Sequence, residues 1–212
     1  IYITAEFKMS ISQLEISTRA ANVANGLPDP TKPFSSFMKF NKNDLNLTMD
    51  FIKAPAMTSL LKKEIFSLIK ENMMEIYKKC PWGWNEKNKR LELFHRKARY
   101  IVVRHSSNKS LAAFVHFRFD IEESIEVLYL YEIQLEKSVR KKGLGRYLMS
   151  LMETIAFHYN MKSIVLTVLK SQENVMKFYF SLHYEIQSHS PDDEFYYILG
   201  KSKKTLELHN EQ

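Results

Sequence analysis

Only one cysteine, Cys80, occurs among the 212 residues. A lone thiol cannot close a disulfide within the chain, so packing has to hold the fold, and a reducing compartment is expected. No histidine lies near Cys80 in sequence, and an idle or buried thiol is expected there rather than a nucleophile. Glycine (5) and proline (6) are sparse, and no low-complexity segment or internal repeat is present. No apolar run approaches the roughly 20 residues that cross a bilayer, and no signal peptide is visible, so no membrane association is expected. The seven histidines are scattered without metal-ligand spacing, so no metal site is expected. Acidic residues are outnumbered, 24 to 31, for a net charge of +7. Such an excess suits a polyanionic partner: nucleic acid, chromatin or a phosphorylated cofactor.

What is plentiful is apolar surface. Hydrophobic residues make up 45% of the chain, with 14 Phe and 11 Tyr, enough for a full core. Residues 9–24, with Ile11, Leu14, Ile16 and Ala20, read as a helix ended by Asn25-Gly26-Leu27-Pro28. Residues 45–53 alternate as a strand. Leu61, Ile65, Leu68, Ile69, Met73 and Ile76 form the apolar stripe of a helix over 57–79, and a short helix is expected over 85–95. Two strands, 100–103 and 111–119, are joined by a polar turn as a hairpin, and a third runs from 127 to 135. A helix over 143–159 precedes Ser163–Leu169, whose unbroken apolar run suits a central, parallel strand. A helix over 173–182 and a strand near 194–200 finish the pattern. The expected class is α+β, a mixed and mostly antiparallel sheet flanked by helices, with an extra N-terminal helix. The expected organisation is an extension at 1–56 packed on the core, a catalytic domain at 57–200 and a charged tail at 201–212.

The strand at 127–135 runs through Arg140-Lys141-Lys142-Gly143-Leu144-Gly145-Arg146 straight into a helix. Paired glycines let a ligand approach the backbone, and the free N–H groups of a helix N-terminus attract anions. Four basic side chains add positive charge, so a diphosphate is the natural guest. The plain alternative is a tight strand–helix turn with solvated charges. A Walker A loop is excluded because no Gly-Lys-Ser/Thr ends the motif. The dinucleotide fingerprint is excluded because Leu148 stands where a third glycine is needed.

Arg-x-x-Gly-x-Gly between strand and helix resembles the acetyl-CoA motif of the GNAT acetyltransferases. Helix 173–182, with Phe178-Tyr179, is similar to their second CoA-side element, although Gln172 stands where Asn is usual and His183-Tyr184 where Gly-Phe is usual. Trp82-Gly83-Trp84, His116-Phe117-Arg118-Phe119-Asp120 and Val127 to Glu136 resemble the NatD-type N-alpha-acetyltransferases, which modify the N-terminal serine of two core histones. The similarity runs from about Tyr77 to Tyr197.

That resemblance implies a set of roles. Acetyl-CoA, as co-substrate, would lie against Ile133, Gln134 and Leu135, the loop Arg140 to Arg146, and Gln172 and Asn174. Backbone N–H groups around Ile133 to Leu135 would meet the oxyanion. Glu132 would be the general base; a glutamate satisfied by a neighbouring donor is the alternative. Strict alternation places Glu132 on the face opposite Tyr129 and Tyr131, so a β-bulge would be needed to re-aim it. Tyr179 stands where many GNAT enzymes protonate the departing thiolate, with a core or CoA-contacting role as the alternative. Asp120 and Glu122 would take the arginine of a tail beginning Ser-Gly-Arg-Gly, or else form a solvated loop. Tyr77, Trp82, Tyr129, Tyr131, Thr167 and Tyr196 would line the rest of the acceptor pocket. An α-amine titrates near 7.7–8.0 against about 10.4 for lysine, a gap worth about 3.4 kcal/mol, so a modest base suffices. The expected partners are core histone tails, with weak nucleosome contact and no auxiliary subunit, in nucleus and cytoplasm. A lysine side chain or a small polyamine is the alternative acceptor.

Overall fold

Helix α1 (Ala5–Gly26) is followed by strands β1 (Lys39–Lys42) and β2 (Leu45–Lys53), then helices α2 (Ser59–Lys78) and α3 (Glu86–Leu93). Strands β3 (Arg99–His105), β4 (Leu111–Glu122) and β5 (Ile125–Leu135) come next. Helix α4 (Leu144–His158), β6 (Ser163–Leu169), α5 (Glu173–Phe180), β7 (Glu185–Ile186) and β8 (Tyr196–Ser202) complete the order. This computed structural model describes residues 5–203; the expected loose tail beyond them and the side chain of Ile11 lie outside the described residues. The strands form one mixed sheet in the order β1-β2-β3-β4-β5-β6-β8-β7. The chain divides into two compact units, one spanning 31–118 and 130–151, the other the remaining segments.

In the first unit, β1 and β2 form a hairpin through Asn43 and Asp44, both with positive φ (53° and 61°). Two left-handed residues are what a two-residue type I′ turn requires, and Asn and Asp tolerate that conformation. The four-residue β1 is too short to stand out in the sequence and was not expected. β2 pairs with β3 from Leu47↔His105 to Lys53↔Arg99, and β3 pairs with β4 from Arg99↔Phe117 to Val103↔Ala113. The Thr58 hydroxyl caps α2, accepting from the Leu61 N–H at 3.2 Å. Leu61, Ile65, Leu68 and Ile69 of α2 pack into a core with Leu93, Tyr100, Val102 and Phe114. Each such aliphatic side chain contributes about 1.5–3 kcal/mol on burial, which is what fixes α2 to this face of the sheet.

In the second unit, α1 does not bury the stripe its apolar residues suggest. Leu14 and Ile16 are exposed, and among the described side chains of the helix the buried ones are Ser17, Ala21 and Ala24. They recur at i, i+4 and i+7, one face of a helix. Small side chains there bring the helix backbone close: Ser17 Oγ donates to Glu126 Oε2 at 2.6 Å, and Asn25 Nδ2 donates to the Phe119 carbonyl at 2.8 Å. β5 leads through α4 into β6, the long connection that a parallel pair needs. On its other side β6 pairs antiparallel with β8, so the expectation of a parallel strand holds for at most one edge. The two-residue β7, also unexpected, pairs with β8. Glu153 and Lys201 form a buried ion pair at 3.0 Å.

Candidate active site

The glycine loop departs from β5 through a short turn at Lys137–Val139. Lys141 then takes a φ of 59° and Gly143 one of 84°, and α4 begins at Leu144. Val139 and Leu144 are fully buried and pin both ends. Lys141 and Arg146 stay exposed. Tyr147 N–H donates to the Gly143 carbonyl at 3.1 Å, closing the first turn of α4, and the N–H groups before it have no helical acceptor. Left-handed backbone, basic side chains and a helix N-terminus therefore fit a diphosphate, through Lys141, Lys142, Arg146 and the backbone of 143–146.

Arg140 behaves differently from its neighbours. Its guanidinium turns back to the end of β5, donating to the Leu135 carbonyl at 3.1 and 3.0 Å and to Asn72 Oδ1 at 2.6 Å. Asn72 of α2 also donates to Gln134 Oε1 at 2.9 Å and to the Leu135 carbonyl at 3.2 Å. The first arginine of the motif is thus a clamp between loop, strand and helix. Gly143→Ala should cost roughly 1–2 kcal/mol, the penalty of a left-handed residue bearing Cβ. Space is not the obstacle, since a Cβ would meet Asn43 Nδ2 only at 3.8 Å. Thermal unfolding checks this; a variant with unchanged Tm would contradict it.

Beside the loop lies a buried charge cluster. Glu132 is 7% exposed. Its Oε1 accepts from Lys89 Nζ at 3.3 Å and its Oε2 from Gln134 Nε2 at 2.8 Å. Lys89 also pairs with Glu92 at 2.8 Å and sits 4.9 Å from the centre of the Tyr77 ring. Burial pushes the Glu132 carboxyl up, and Lys89 partly opposes it. Burial pulls the Lys89 ammonium down, but Glu132, Tyr77 and Glu92 outweigh it and hold it well above the usual lysine range. Burial, and next Glu132, raise the Tyr77 phenol. A carboxyl raised by burial and faced by a fixed cation is a chemical fit for a general base.

Tyr131 stacks on His116 (4.8 Å between ring centres), and His116 stacks on Tyr100 (4.8 Å). Tyr100 belongs to the core cluster under α2, and its hydroxyl donates to the Leu93 carbonyl at the end of α3. Tyr131 therefore faces the α2–α3 layer. So does Glu132, the next residue, through Lys89 of α3. Consecutive side chains on one face break strand alternation, and one irregularity in β5 is the simplest way to do it. Arg118 covers Tyr131 at 4.0 Å, donates to the Glu92 carbonyl at 2.7 Å, and approaches His116 Nε2 at 3.4 Å. Burial, then Arg118, hold His116 well below the ordinary imidazole range, so it is neutral and its Nε2 accepts. Trp82 is 49% exposed and its ring lies 6.2 Å from Tyr77.

The remaining candidates belong to the other unit. Tyr129 and Thr167 are brought together, with 2.7 Å between their hydroxyl oxygens. Glu122 pairs with His189 at 3.4 Å, and Asp120 Oδ1 accepts from the Ile121 N–H at 3.1 Å. Tyr179 is buried, edge-on to Phe178 and Tyr184. Tyr196 lies half-buried against Phe195. Gln172 precedes α5 and gives it no side-chain cap, and Asn174 is exposed. Back in the first unit, Cys80 is half-buried with its thiol 3.3 Å from the Tyr77 carbonyl.

The sequence singles out neither Lys89 nor Asn72. Lys89 sits in a strongly charged helix that reads as a solvated face, and its partner lies 43 positions away. His116 and Arg118 stand within the His116-Phe117-Arg118-Phe119-Asp120 run, but nothing in that run shows that they pack against Tyr131. Among the described residues, no three His, Cys, Asp or Glu side chains group to hold a metal ion, and no helix is long and apolar enough to cross a membrane.

A mixed sheet that delivers a glycine loop onto a helix N-terminus, with a buried carboxylate on the preceding strand, is an acyltransferase arrangement. The chain belongs to the acetyltransferase (GNAT) family, whose sequence profile matches residues 70–184. Its fold is similar to that of Arabidopsis thaliana Naa50 in complex with a bisubstrate analogue, CoA-Ac-MVNAL: TM-score 0.52, 17% identity, covering 74% of this chain and 98% of that one. It is similar as well to spermidine N-acetyltransferase from Vibrio cholerae in complex with CoA and spermine, with TM-score 0.54 and 14% identity over 74% and 96% of the two chains. Ard1 from Thermoplasma volcanium matches with TM-score 0.51 and 12% identity over 73% and 97%.

Proposed function

We propose that this acetyltransferase is an N-alpha-acetyltransferase of the NatD type. It moves acetyl from acetyl-CoA to the free N-terminal amine of core histone tails beginning Ser-Gly-Arg-Gly, by direct attack in a ternary complex. The observation that carries the reading is the Glu132–Lys89 pair, packed against Tyr77 on the layer that Tyr131 also faces. Bound acetyl-CoA would supply an activated thioester, whose C–S bond breaks as the amide C–N bond forms, with CoA departing as a thiolate that takes up a proton from solvent. Glu132 takes the proton released as the amine nitrogen becomes an amide, directly or through one water. Gln134 and Lys89 hold that carboxylate in one orientation. Arg140 and Asn72 fix the end of β5, whose backbone N–H groups would face the developing oxyanion.

The proton balance favours an α-amine over a polyamine or lysine acceptor, because a neutral nucleophile is needed at Glu132 and a modest base suffices to supply it. An α-amine sheds its proton near pH 8, whereas a lysine or polyamine stays charged. The test is mass spectrometry on a lysine-bearing peptide that begins Ser-Gly-Arg-Gly, with its N-terminus free or blocked, alongside spermidine. Acetylation of the free N-terminus alone is expected. Equal turnover of the blocked peptide or of spermidine would overturn the substrate assignment.

A further inference from the structure

We infer that the β1–β2 hairpin positions the cofactor loop, with Asn43 holding the Lys142 carbonyl so that the backbone at Gly143 stays set for a diphosphate. The inference rests on reading that loop as the acetyl-CoA site. Asn43 Nδ2 donates to the Lys142 carbonyl at 3.0 Å, 99 positions along the chain. In a planar trans peptide the C=O and the following N–H point in opposite directions. Tying the Lys142 oxygen to the hairpin therefore turns the Gly143 N–H away from it, toward the open side of the loop. The same bond keeps a carbonyl oxygen, which would repel a phosphate, from swinging into the site.

A second contact acts just past the glycine. The Tyr147 hydroxyl, on the first turn of α4, lies 2.9 Å from the Phe37 carbonyl and 3.1 Å from that of Lys39, donating to one at a time. The Tyr147 ring meets Phe40 edge-on at 5.1 Å. Gly143 is thus bracketed: the residue before it and the helix turn after it are both tied to residues 37–43. That segment lies outside residues 70–184, which carry the family match. It gives the N-terminal extension a task at the cofactor end of the site.

Asn43 has a left-handed φ of 53°, so Asn43→Gly removes the amide without straining the turn, whereas alanine would confuse the two effects. Asn43→Gly should raise KM for acetyl-CoA and Kd for CoA by about three- to tenfold, the worth of one hydrogen bond. KM for the peptide and Tm should stay unchanged. Asn43→Asp, which cannot donate and adds a negative charge beside the loop, should weaken binding further. Tyr147→Phe, which keeps the ring and loses the hydroxyl, should move the same two constants. The wild-type protein is titrated with CoA first: no uptake there would sink the cofactor reading itself. Uptake by wild type with equal affinity in Asn43→Gly and Tyr147→Phe would overturn the hairpin inference alone. Parallel losses in peptide KM and Tm would overturn it as well, since they mark a purely structural role.

Discussion

Glu132→Gln should lower kcat/KM for the free-amine peptide by about 10²- to 10⁴-fold, the usual contribution of a positioned general base. Glutamine keeps the shape and can still hydrogen-bond Gln134, so CoA affinity should change little. The pH profile is the sharper readout. In the wild type, the acid limb of kcat/KM follows ionisation of Glu132, which burial places above the ordinary carboxylate range despite Lys89. In the glutamine variant that limb should disappear, leaving only the limb set by the amine. A variant with wild-type rates across pH would show that Glu132 is a satisfied core carboxylate and not a base.

Lys89→Met should produce the next largest effect, and on two observables. Removing one partner of a buried pair typically costs about 3–5 kcal/mol, and the Lys89 side chain is only 12% exposed. The sign follows from linkage. A carboxyl raised by the fold contributes stability below its unfolded value and loses it as pH rises through the folded one. Without Lys89 the folded value climbs further, because burial is then opposed chiefly by the hydrogen bond from Gln134, while Glu92 pushes the same way as burial. The stability deficit should therefore be large at neutral pH and shrink in acid, where Glu132 is protonated in both proteins. The acid limb of kcat/KM should move to higher pH. Tyr77 of α2, Glu92 of α3, Tyr100 of β3 and His116 and Arg118 of β4 also face the pair, and none of them replaces the cation. Lys89→Arg, which keeps the charge, should restore the limb. Urea unfolding at two pH values and the rate profile together check this; a deficit independent of pH would contradict it.

How far the sequence leads differs from one part of the site to another. The loop at 140–146 can be read directly because its chemistry is contiguous: strand, basic residues, paired glycines and helix follow one another in the chain. Even there the direction of Arg140 cannot be read, since its acceptors are a carbonyl five positions back and an asparagine on α2. Glu132 is visible as a candidate, but alternation assigns it the wrong face. Only its contact with Lys89, and that of Tyr131 with His116, reveal that two neighbours share one layer. On α1, periodicity finds the helix and misplaces its buried face, because close backbone approach selected Ser17, Ala21 and Ala24 over larger apolar residues.

By itself, then, the sequence determined the class of fold, most of the elements, and the position of the basic glycine turn before α4. Each of those follows from local physics: periodic apolar residues, backbone freedom at glycine and the free amides of a helix start. The tertiary structure alone decided which cation meets Glu132, what Arg140 and Asn72 hold, and that the Asn43 hairpin reaches the loop. These depend on side chains 43 to 99 positions apart meeting within about 3 Å. Coulomb forces and hydrogen bonds act over distance in space, and no local pattern in a chain records which distant segments that distance joins.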